Sequence, residues 1–359
     1  MNFAFSPEQD AFREAVRRFA REQWPVSASR RLADDPRGFD PPAWRTMTRE
    51  LGLAGLLVPE SEGGQGFSML ELGIALEELG AELAGGPLFA SACLGALTLV
   101  AVADPGERKE LLPDLASGDA IVALAYREGV RAVDDRLEGT QRLVLDAQNA
   151  TLLLVRADDE AGVGIYAVEP NAPGLAIEPI ASLDLTRRFA DVACHGVRAR
   201  RLGRGDARGA LARVALQASV ALSAEQVGGA RACLERAVDH MKERIQFGRP
   251  IGSFQALKHR AVDAYGALEL ARSAAYWAWW VVSEDRPELA EAAHVAASLA
   301  AEAYDRAARE CIHLHGGMGF TWEHDAHLYL RRARTSQTLL GDPIAHRAAL
   351  AAELGISVC

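Results

Sequence analysis

Cysteine is scarce in this chain, and the few cysteines are scattered. The 359 residues include five, an odd number without Cys-x-x-Cys spacing: Cys93, Cys194, Cys233, Cys311 and Cys359. A disulfide framework needs paired cysteines, and a zinc site needs ligands at short, regular spacing. The nine histidines show no metal-site spacing paired with carboxylates either, apart from the run Glu323-His324-Asp325 with His327, for which no metal is proposed. We therefore predict a reduced, cytoplasmic protein without a disulfide framework or a metal site.

An excess of positive charge and a long apolar run are also missing. The formal net charge is -10 at pH 7, whereas a nucleic-acid surface needs an excess of Lys and Arg, so nucleic acid is not the expected partner. The most apolar run, residues 88–103, is shorter than the roughly 20 residues that span a bilayer. We interpret it as a buried helix. The N-terminus lacks a basic region followed by an apolar block, so no secretory signal is predicted.

The first third of the chain has the pattern of a helical domain, residues 1–117. Hydrophobic residues make up 49% of the chain, which is sufficient for a large core. Ser6, Pro7 and Gln9 form a helix start with capping-box spacing, and apolar residues then recur at helical intervals to about Arg31. Further helices are predicted at 41–51, 69–83, 87–103 and 106–116.

Two more patterns follow, which predict a β domain at 118–204 and a helical domain at 205–359. Short β-rich runs separated by turn residues are typical of a small antiparallel barrel or sandwich; they are 121–126, 143–145, 151–155, 164–168, 175–180 and 189–197. Two long helices are then expected, 207–243 and 254–283. The second contains Tyr276, Trp277, Trp279 and Trp280, which we interpret as core or subunit interface. The fold class is α+β, ending in a four-helix bundle.

The turn between the two long helices combines charged, amide and aromatic groups. Residues 243–255 contain two glycines and a proline, which force a turn. Arg244 and Gln246 carry donors that suit a phosphate or another polar ligand, and Phe247 and Phe254 add flat apolar faces. On these residues alone, an ordinary helix–helix loop with an ion-paired arginine is an equally good interpretation.

This turn carries a resemblance to a known family. The pattern Arg-x-Gln-Phe-Gly-x-Pro-Ile-x-x-Phe-Gln, residues 244–255, resembles the flavin-contacting turn of the acyl-CoA dehydrogenases. His-Leu-His-Gly-Gly-Met-Gly-Phe-Thr, residues 313–321, is similar to the glycine-rich turn near the end of that family's helical domain. In the family both segments reach across a subunit interface and hold the FAD of a neighbouring chain. The implied cofactor-binding residues are Arg244, Gln246, Phe247, Gln255, His313, Leu314, Gly316 and Gly317.

The resemblance also implies a proton-abstracting glutamate, and this chain lacks it. The family removes a proton next to a CoA thioester with a carboxylate, while FAD accepts a hydride. That glutamate lies at one of two positions, which here are Leu340 and Ala218, and neither side chain accepts a proton. Asp342 and Glu225 are candidate substitutes, although Asp342 before Pro343 is also a natural helix cap.

The flavin-contacting residues of the β domain are missing as well. A typical member has Thr-Glu-Pro-x-Ala-Gly-Ser-Asp after its first β-strand and a Lys-x-Trp-Ile-Thr segment that packs on the flavin. The corresponding residues here are Tyr-Arg-Glu-Gly-Val-Arg at 126–131 and Gln-Arg-Leu-Val-Leu at 141–145. Leucine provides no hydrogen bond to a flavin ring, so the resemblance implies that this chain has lost its own half of the cofactor site.

A chain with the donated half of the site but without the receiving half is interpreted as a companion subunit. It resembles the smaller, base-lacking subunit of actinobacterial heterotetrameric acyl-CoA dehydrogenases that act on CoA esters of steroid side chains. The implied assembly is α2β2 with a homologous subunit, FAD, a bulky acyl-CoA substrate and electron-transfer flavoprotein as the acceptor. Two alternatives stay open: a homo-oligomeric enzyme that uses Asp342 or Glu225 as base, and a non-enzymatic acyl-CoA-binding or scaffold protein without flavin.

Overall fold

The N-terminal part of the computed structural model is helical. The structure describes residues 4–356, so Cys359 and the first three residues of the stretch considered for a secretory signal lie outside it. The helices here are α1 (Pro7–Gln23), α2 (Val26–Arg31), α3 (Pro41–Arg45), α4 (Met69–Ala81), α5 (Ala96–Val102) and α6 (Pro105–Ser117). Two π-helical segments (Thr46–Glu50, Phe89–Gly95) and three 3-10 turns (Leu32–Asp34, Leu53–Gly55, Glu60–Glu62) connect them.

The first helix begins as predicted but ends early. The Gln9 backbone N–H donates to Ser6 Oγ at 3.2 Å, and the Ser6 N–H donates to the Gln9 side chain at 3.0 Å, so the capping box is confirmed. One continuous helix to Arg31 is wrong, because the chain breaks around Pro25, which caps α2. Proline has no N–H for the helical ladder, and its ring crowds the preceding turn. Hydrophobic periodicity continues through such a break and does not reveal it.

The middle of the chain forms one eight-stranded sheet. Its strands are β1 (Val122–Ala125), β2 (Val130–Val133), β3 (Arg136–Leu145), β4 (Leu152–Asp159), β5 (Gly162–Val168), β6 (Leu175–Ile180), β7 (Phe189–Arg198) and β8 (Arg200–Leu202). The spatial order is β6-β7-β3-β2-β4-β5-β8, with β1 beside β4. Most strand pairs are antiparallel, as predicted. Strand β4 is the exception, because both β1 and β2 pair with it in parallel. The chain reaches β4 through the β2–β3 hairpin, and this connection allows the parallel pairing.

Three parts of the sheet were not predicted: β2, the first half of β3, and β8. Strand β2 is only four residues long and buries alternate side chains. The turn that joins it to β3 consists of Asp134 and Asp135, with φ of 48° and 56°, between the paired residues Val133 and Arg136. Such a two-residue turn is usually recognised from Asn-Gly or Asp-Gly. Two successive aspartates give a much weaker signal.

The C-terminal part is helical again, with long helices. They are α7 (Arg208–Glu243), α8 (Gln255–Ser283), α9 (Leu289–His315), α10 (Ala326–Leu339) and α11 (Pro343–Glu353). The first two agree with prediction to within one residue at each end. The predicted domain limits fall in the connections between Ser117 and Val122 and between Leu202 and Arg208. The fold class is confirmed: N-terminal helices, a mostly antiparallel sheet and a helical domain with long helices.

The aromatic run of α8 contributes to the core, as predicted. Trp279 is fully buried, and a Cβ added to Gly73 of α4 would lie 2.5 Å from its indole ring. Tyr276 is partly buried and donates its hydroxyl to Glu77 at 2.8 Å. The apolar segment 88–103 is largely buried. In the described residues 4–356, no helix is both long enough and apolar enough to cross a bilayer.

Candidate functional site

The corner after α7 is a tight hairpin. β9 (Ile245–Gln246) pairs antiparallel with β10 (Arg249–Pro250), and Gln246 lies opposite Arg249. The two loop residues, Phe247 and Gly248, have φ of 52° and 76°, as a two-residue type I′ turn requires. A positive φ is uncommon for a bulky residue, and here it accompanies a ring that is 84% exposed. The turn therefore presents most of the Phe247 ring to the surroundings of the chain, with an edge-to-face contact to Phe254 at a centroid distance of 6.2 Å.

Arg244 is presented by this corner without a partner. Its backbone N–H donates to the His240 carbonyl at 2.8 Å, which fixes the main chain at the end of α7. Its side chain is exposed and makes no ion pair or side-chain hydrogen bond within residues 4–356. The ordinary loop with an ion-paired arginine is thus not what the chain forms. An exposed guanidinium without an ion-pair partner among the described residues is suited to bind an anion.

The glycine-rich turn begins where α9 ends. Gly316 has φ of 64° and ψ of −143°, a conformation that is essentially restricted to glycine, and a short 3-10 segment follows (Gly316–Phe320). A Cβ at Gly316 or Gly317 would meet nothing within 4 Å, so a ligand can approach both backbones. His313 is exposed, whereas the side chain of Leu314 is buried in the core. Leu314 can therefore offer only its backbone to a cofactor.

The structure brings the two segments together. His240, in the last turn of α7, stacks on His315 with a ring-centroid distance of 4.3 Å. Both segments carry exposed apolar side chains: Ile245, Phe247, Met318, Phe320 and Trp322. Single exposed apolar residues are ordinary, but a group of them next to unpaired polar donors is typical of an interaction surface. We call the segments 244–255 and 313–322 the donor surface.

The two positions for a catalytic glutamate offer no proton acceptor. Ala218 is fully buried within α7. Leu340 follows α10 and lines a cavity of about 290 Å³ with apolar residues such as Leu124 and Leu211. Asp342 caps α11 as predicted, because its Oδ1 accepts a hydrogen bond from the Ala345 N–H at 2.8 Å.

Glu225, the other candidate base, lies in a buried ion-pair network. Arg187 Nη2 donates to both carboxylate oxygens at 2.6 and 2.7 Å, and Arg332 Nη1 donates to Oε1 at 3.0 Å. Burial raises the pKa of Glu225, but the charges of Arg187 and Arg332 outweigh burial and hold that pKa below its usual value. A general base works best with a pKa near the operating pH. The surroundings of Glu225 therefore favour a structural role.

Two cavities near the end of β1 share the side chain of Arg127, and we call them together this chain's own cleft. Arg127 lines the cavity beside Leu340 and also a second cavity of about 520 Å³, which includes Leu143 and Thr338. Next to it, the Tyr126 hydroxyl donates to the Leu339 carbonyl at 2.7 Å and so links β1 to α10. The sequence did not indicate this role for Tyr126, since its partner is a main-chain carbonyl far along the chain.

Leu143 belongs to residues 141–145, the β-domain segment that stands in place of the family's flavin-packing segment. It has a φ of 57° at an irregularity in the pairing of β3 with β7, and its side chain is about half exposed. Such an irregularity re-aims a side chain out of the regular pleat. The result is a leucine at the second cavity, where it provides no hydrogen bond.

Comparison with known proteins identifies the family. Residues 6–119 match the acyl-CoA dehydrogenase N-terminal domain, and residues 211–355 match the acyl-CoA dehydrogenase C-terminal domain. The acyl-CoA dehydrogenase IpdE2 of Mycobacterium tuberculosis is 35% identical over 340 residues, which cover 94% of this chain and 94% of that protein. This chain belongs to the acyl-CoA dehydrogenase family.

Other acyl-CoA dehydrogenases are similar over nearly the whole chain. FadE34 of Mycobacterium tuberculosis is 36% identical over 345 residues, which cover 93% of this chain and 46% of FadE34. Among solved structures, the ChsE4-ChsE5 complex from Mycobacterium tuberculosis has a chain with a TM-score of 0.91 and 27% identity, with 100% of both chains covered. The Tcur3481-Tcur3483 steroid dehydrogenase variant gives a TM-score of 0.88 and 28% identity, with 97% of this chain and 98% of that chain covered. The predicted family and enzyme class, an oxidoreductase subunit of FAD-dependent acyl-CoA dehydrogenase type, are confirmed.

The donor surface fits part of an FAD molecule, whereas this chain's own cleft does not. Arg244 is exposed and unpaired within residues 4–356, which suits a pyrophosphate. The backbone of Gly316 and Gly317 is open to a ligand. In the cleft, by contrast, Leu143 and Leu340 stand at the positions where the family resemblance implies polar groups for the flavin ring and for proton transfer, although charged side chains such as Arg127 and Glu128 also line the cavity beside Leu340.

Proposed function

We propose that this acyl-CoA dehydrogenase chain is a companion subunit that completes the FAD site of a homologous partner in an α2β2 assembly. The asymmetry between the two halves of the site supports this most strongly. The donor surface keeps its polar groups and is exposed, while the two base positions hold Leu340 and Ala218. The similarity to a chain of the ChsE4-ChsE5 complex agrees with a heteromer.

In this proposal the residues of the donor surface bind and orient the cofactor. Arg244 pairs with the FAD pyrophosphate, and Gln246 and Phe247 contact the adenosine side or the ring edge. Gln255 and His313 are exposed side chains that add polar contacts, while Leu314, Gly316 and Gly317 contribute backbone groups. The flavin, when bound, supplies the hydride acceptor.

The remaining chemistry belongs to the proposed partner. Since Leu340 and Ala218 accept no proton, the carboxylate that removes the proton next to the thioester comes from the partner. A bulky acyl-CoA of the steroid side-chain type is the proposed substrate, with electron-transfer flavoprotein as the acceptor. The similarity to the Tcur3481-Tcur3483 steroid dehydrogenase supports this substrate class.

Flavin absorbance tests the proposal directly. The chain is purified alone and after co-expression with an adjacent acyl-CoA dehydrogenase-like chain, and the visible flavin bands are measured per mole of protein. We expect flavin only in the co-purified complex. Flavin in the isolated chain would support the homo-oligomeric alternative. A complex that retains no flavin after incubation with FAD and removal of the unbound cofactor would support the scaffold alternative.

Arg244→Ala is expected to weaken FAD binding by the complex. A hydrogen bond to a charged group contributes about 1.5–3 kcal/mol, which corresponds to roughly 10- to 150-fold in the dissociation constant. FAD titration of the flavin-free complex by fluorescence measures this change. Lys242→Ala is the matched control, because Lys242 lies two residues earlier and already pairs with Asp239 at 3.0 Å. Equal FAD affinity for both variants would contradict the role of Arg244.

Asp342→Asn is expected to leave the turnover of the complex unchanged. Asn is as good a helix cap as Asp, so the start of α11 is preserved. Loss of a general base would instead reduce turnover by about 10²- to 10⁴-fold. Steady-state reduction of a dye by acyl-CoA separates these outcomes, and a loss of that size would restore the alternative in which Asp342 is the base.

A further inference from the structure

Three histidine rings lie in contact behind the donor surface. His315 closes α9 directly before Gly316, and its ring stacks on His240 of α7 at 4.3 Å with an interplanar angle of 28°. On another side it contacts the ring of His324, which follows the glycine-rich turn, at 4.4 Å. His315 is therefore the middle ring of the three, which we call the imidazole stack.

The orientation of the middle ring is fixed by a hydrogen bond. His315 Nδ1 lies 2.7 Å from the carbonyl oxygen of Cys311. A carbonyl oxygen only accepts, so Nδ1 carries a hydrogen and donates it. The Cys311 sulfur lies 3.8 Å from the same nitrogen. The ring is thus tied to its own helix, while its faces meet residues of two other segments.

The imidazole stack lies at the end of the α7–α9 packing, where it connects the two segments of the donor surface. Gly316 and Gly317 have no side chains, and a Cβ at either would meet nothing within 4 Å. The main chain at Arg244 is anchored to the His240 carbonyl. Contact between His240 and His315 therefore links the end of the helix that carries Arg244 to the residue that precedes the glycine pair.

We propose that His315 is a positioning residue for the cofactor, because its ring in the imidazole stack holds the Gly316–Gly317 turn in a fixed position relative to Arg244. This inference rests on the proposed function of the donor surface. His315 itself need not contact FAD. Preorganised binding groups lose affinity when their supporting residues are removed, even if every direct contact residue is still present.

The charges around the imidazole stack make this positioning dependent on pH. Helix α7 contributes Arg236 next to the imidazole stack, and Arg244 and Glu243 lie close to His240. Helix α9 contributes Cys311, and the loop before α10 contributes Asp325, which lies beside His324. Contact with Cys311 raises the pKa of His315, while burial lowers the pKa of His240 and of His324.

Protonation should therefore proceed from the middle ring outward. His315 accepts a proton first, and a single charged ring between two neutral rings is tolerated. When the pH falls well below the ordinary imidazole pKa of about 6.5, the outer rings become charged too, and like charges then lie next to each other. FAD binding should be constant above that pH and weaken below it.

The test uses the complex co-purified with its partner, freed of flavin and titrated with FAD between about pH 8 and pH 5.5. Flavin fluorescence gives the dissociation constant. We expect the wild-type complex to bind FAD equally well down to about pH 6.5 and then more weakly. His315→Ala should bind roughly 10-fold more weakly throughout, because the stack is lost. His315→Phe keeps a stacking ring but lacks the hydrogen bond to the Cys311 carbonyl. It should bind FAD more tightly than His315→Ala near neutral pH and show no acid weakening, since a phenyl ring stacks and stabilises a neighbouring cation.

The control is His195→Ala, which replaces an exposed histidine of β7 that lies outside the donor surface and the imidazole stack and should match wild type at every pH. Wild-type affinity in His315→Ala would overturn the inference. If that variant fails to assemble, His315→Phe still decides: an acid weakening equal to that of wild type would overturn the inference. A wild-type complex that never binds FAD would contradict the proposed function itself.

Discussion

Replacing Glu225 with glutamine is expected to lower the free energy of unfolding by about 3–5 kcal/mol. Glu225 is buried, and it accepts hydrogen bonds from Arg187 and Arg332. Both guanidinium groups are themselves buried, so within residues 4–356 the variant leaves them Asp184 as their shared ion-pair partner, with the buried carboxyl of Asp146 also nearby. Denaturant unfolding of the purified protein, followed by circular dichroism, measures the change.

The destabilisation caused by Glu225→Gln should decrease as the pH falls. The pKa of folded Glu225 is held below its usual value, because the charges of Arg187 and Arg332 outweigh the opposing effect of burial. The carboxylate therefore stabilises the fold above the pKa of glutamate in the unfolded chain, about 4.3. That contribution is lost as the pH falls through the folded pKa. The difference between wild type and Glu225→Gln should be large at neutral pH and shrink in acid.

A matched control lies on the same helix. Glu235 is 55% exposed and lies 3.8 Å from Arg231, so Glu235→Gln should change the free energy of unfolding by about 0.5 kcal/mol or less. If both variants cost the same at neutral pH, the buried network around Glu225 is not a significant stabilising contact. The comparison also bears on mechanism, since a residue needed for stability in this way is a poor candidate for the proton acceptor.

The buried ion-pair network explains why the sequence indicated Glu225 as a candidate base but did not reveal its structural role. Its partners come from distant parts of the chain: Arg187 precedes β7, and Arg332 lies in α10. Arg332 also donates to the Thr186 hydroxyl at 2.9 Å, so three segments meet at one carboxylate. Sequence periodicity predicts a helix around Glu225, but a charge partner more than a hundred residues away leaves no local pattern.

The long helices and the turn between them were predictable for the opposite reason, although the pairing of β9 with β10 within that turn was not predicted. Helices α7 and α8 have sustained periodicity, and the glycines and proline at 248–252 break it locally. The family resemblance then supplied roles for residues such as Arg244. It could not indicate that Leu314 faces the core, or that His240 and His315 stack, because both depend on how α7 packs on α9.

Short and irregular elements account for most of what the sequence did not predict. Strand β2 has four residues and a turn of two aspartates, and the parallel pairing of β1 with β4 depends on topology. Tyr126 belongs to the segment that replaces the family's flavin loop, yet its hydrogen bond to the Leu339 carbonyl links β1 to α10. Such contacts depend on the folded arrangement of separate elements.

The second large effect is expected at Gly228, where α7 passes very close to α4. A Cβ at Gly228 would lie 1.9 Å from the Glu77 carbonyl oxygen and 3.1 Å from the Ala81 nitrogen. On the facing helix, a Cβ at Gly80 would lie 2.3 Å from the Glu225 carbonyl oxygen. Backbone therefore packs directly on backbone, and no flexible side chain can move aside to make room.

Gly228→Ala should accordingly destabilise the fold by roughly 3 kcal/mol, because α4 and α7 must separate to accept one methyl group. The same substitution at Gly266 of α8 is the control, since a Cβ there would meet nothing within 4 Å. In that open helical position alanine should stabilise by about 0.5–1 kcal/mol. Thermal unfolding of the two variants should thus shift in opposite directions. A stabilised Gly228→Ala would contradict the close approach of α4 and α7 at this point.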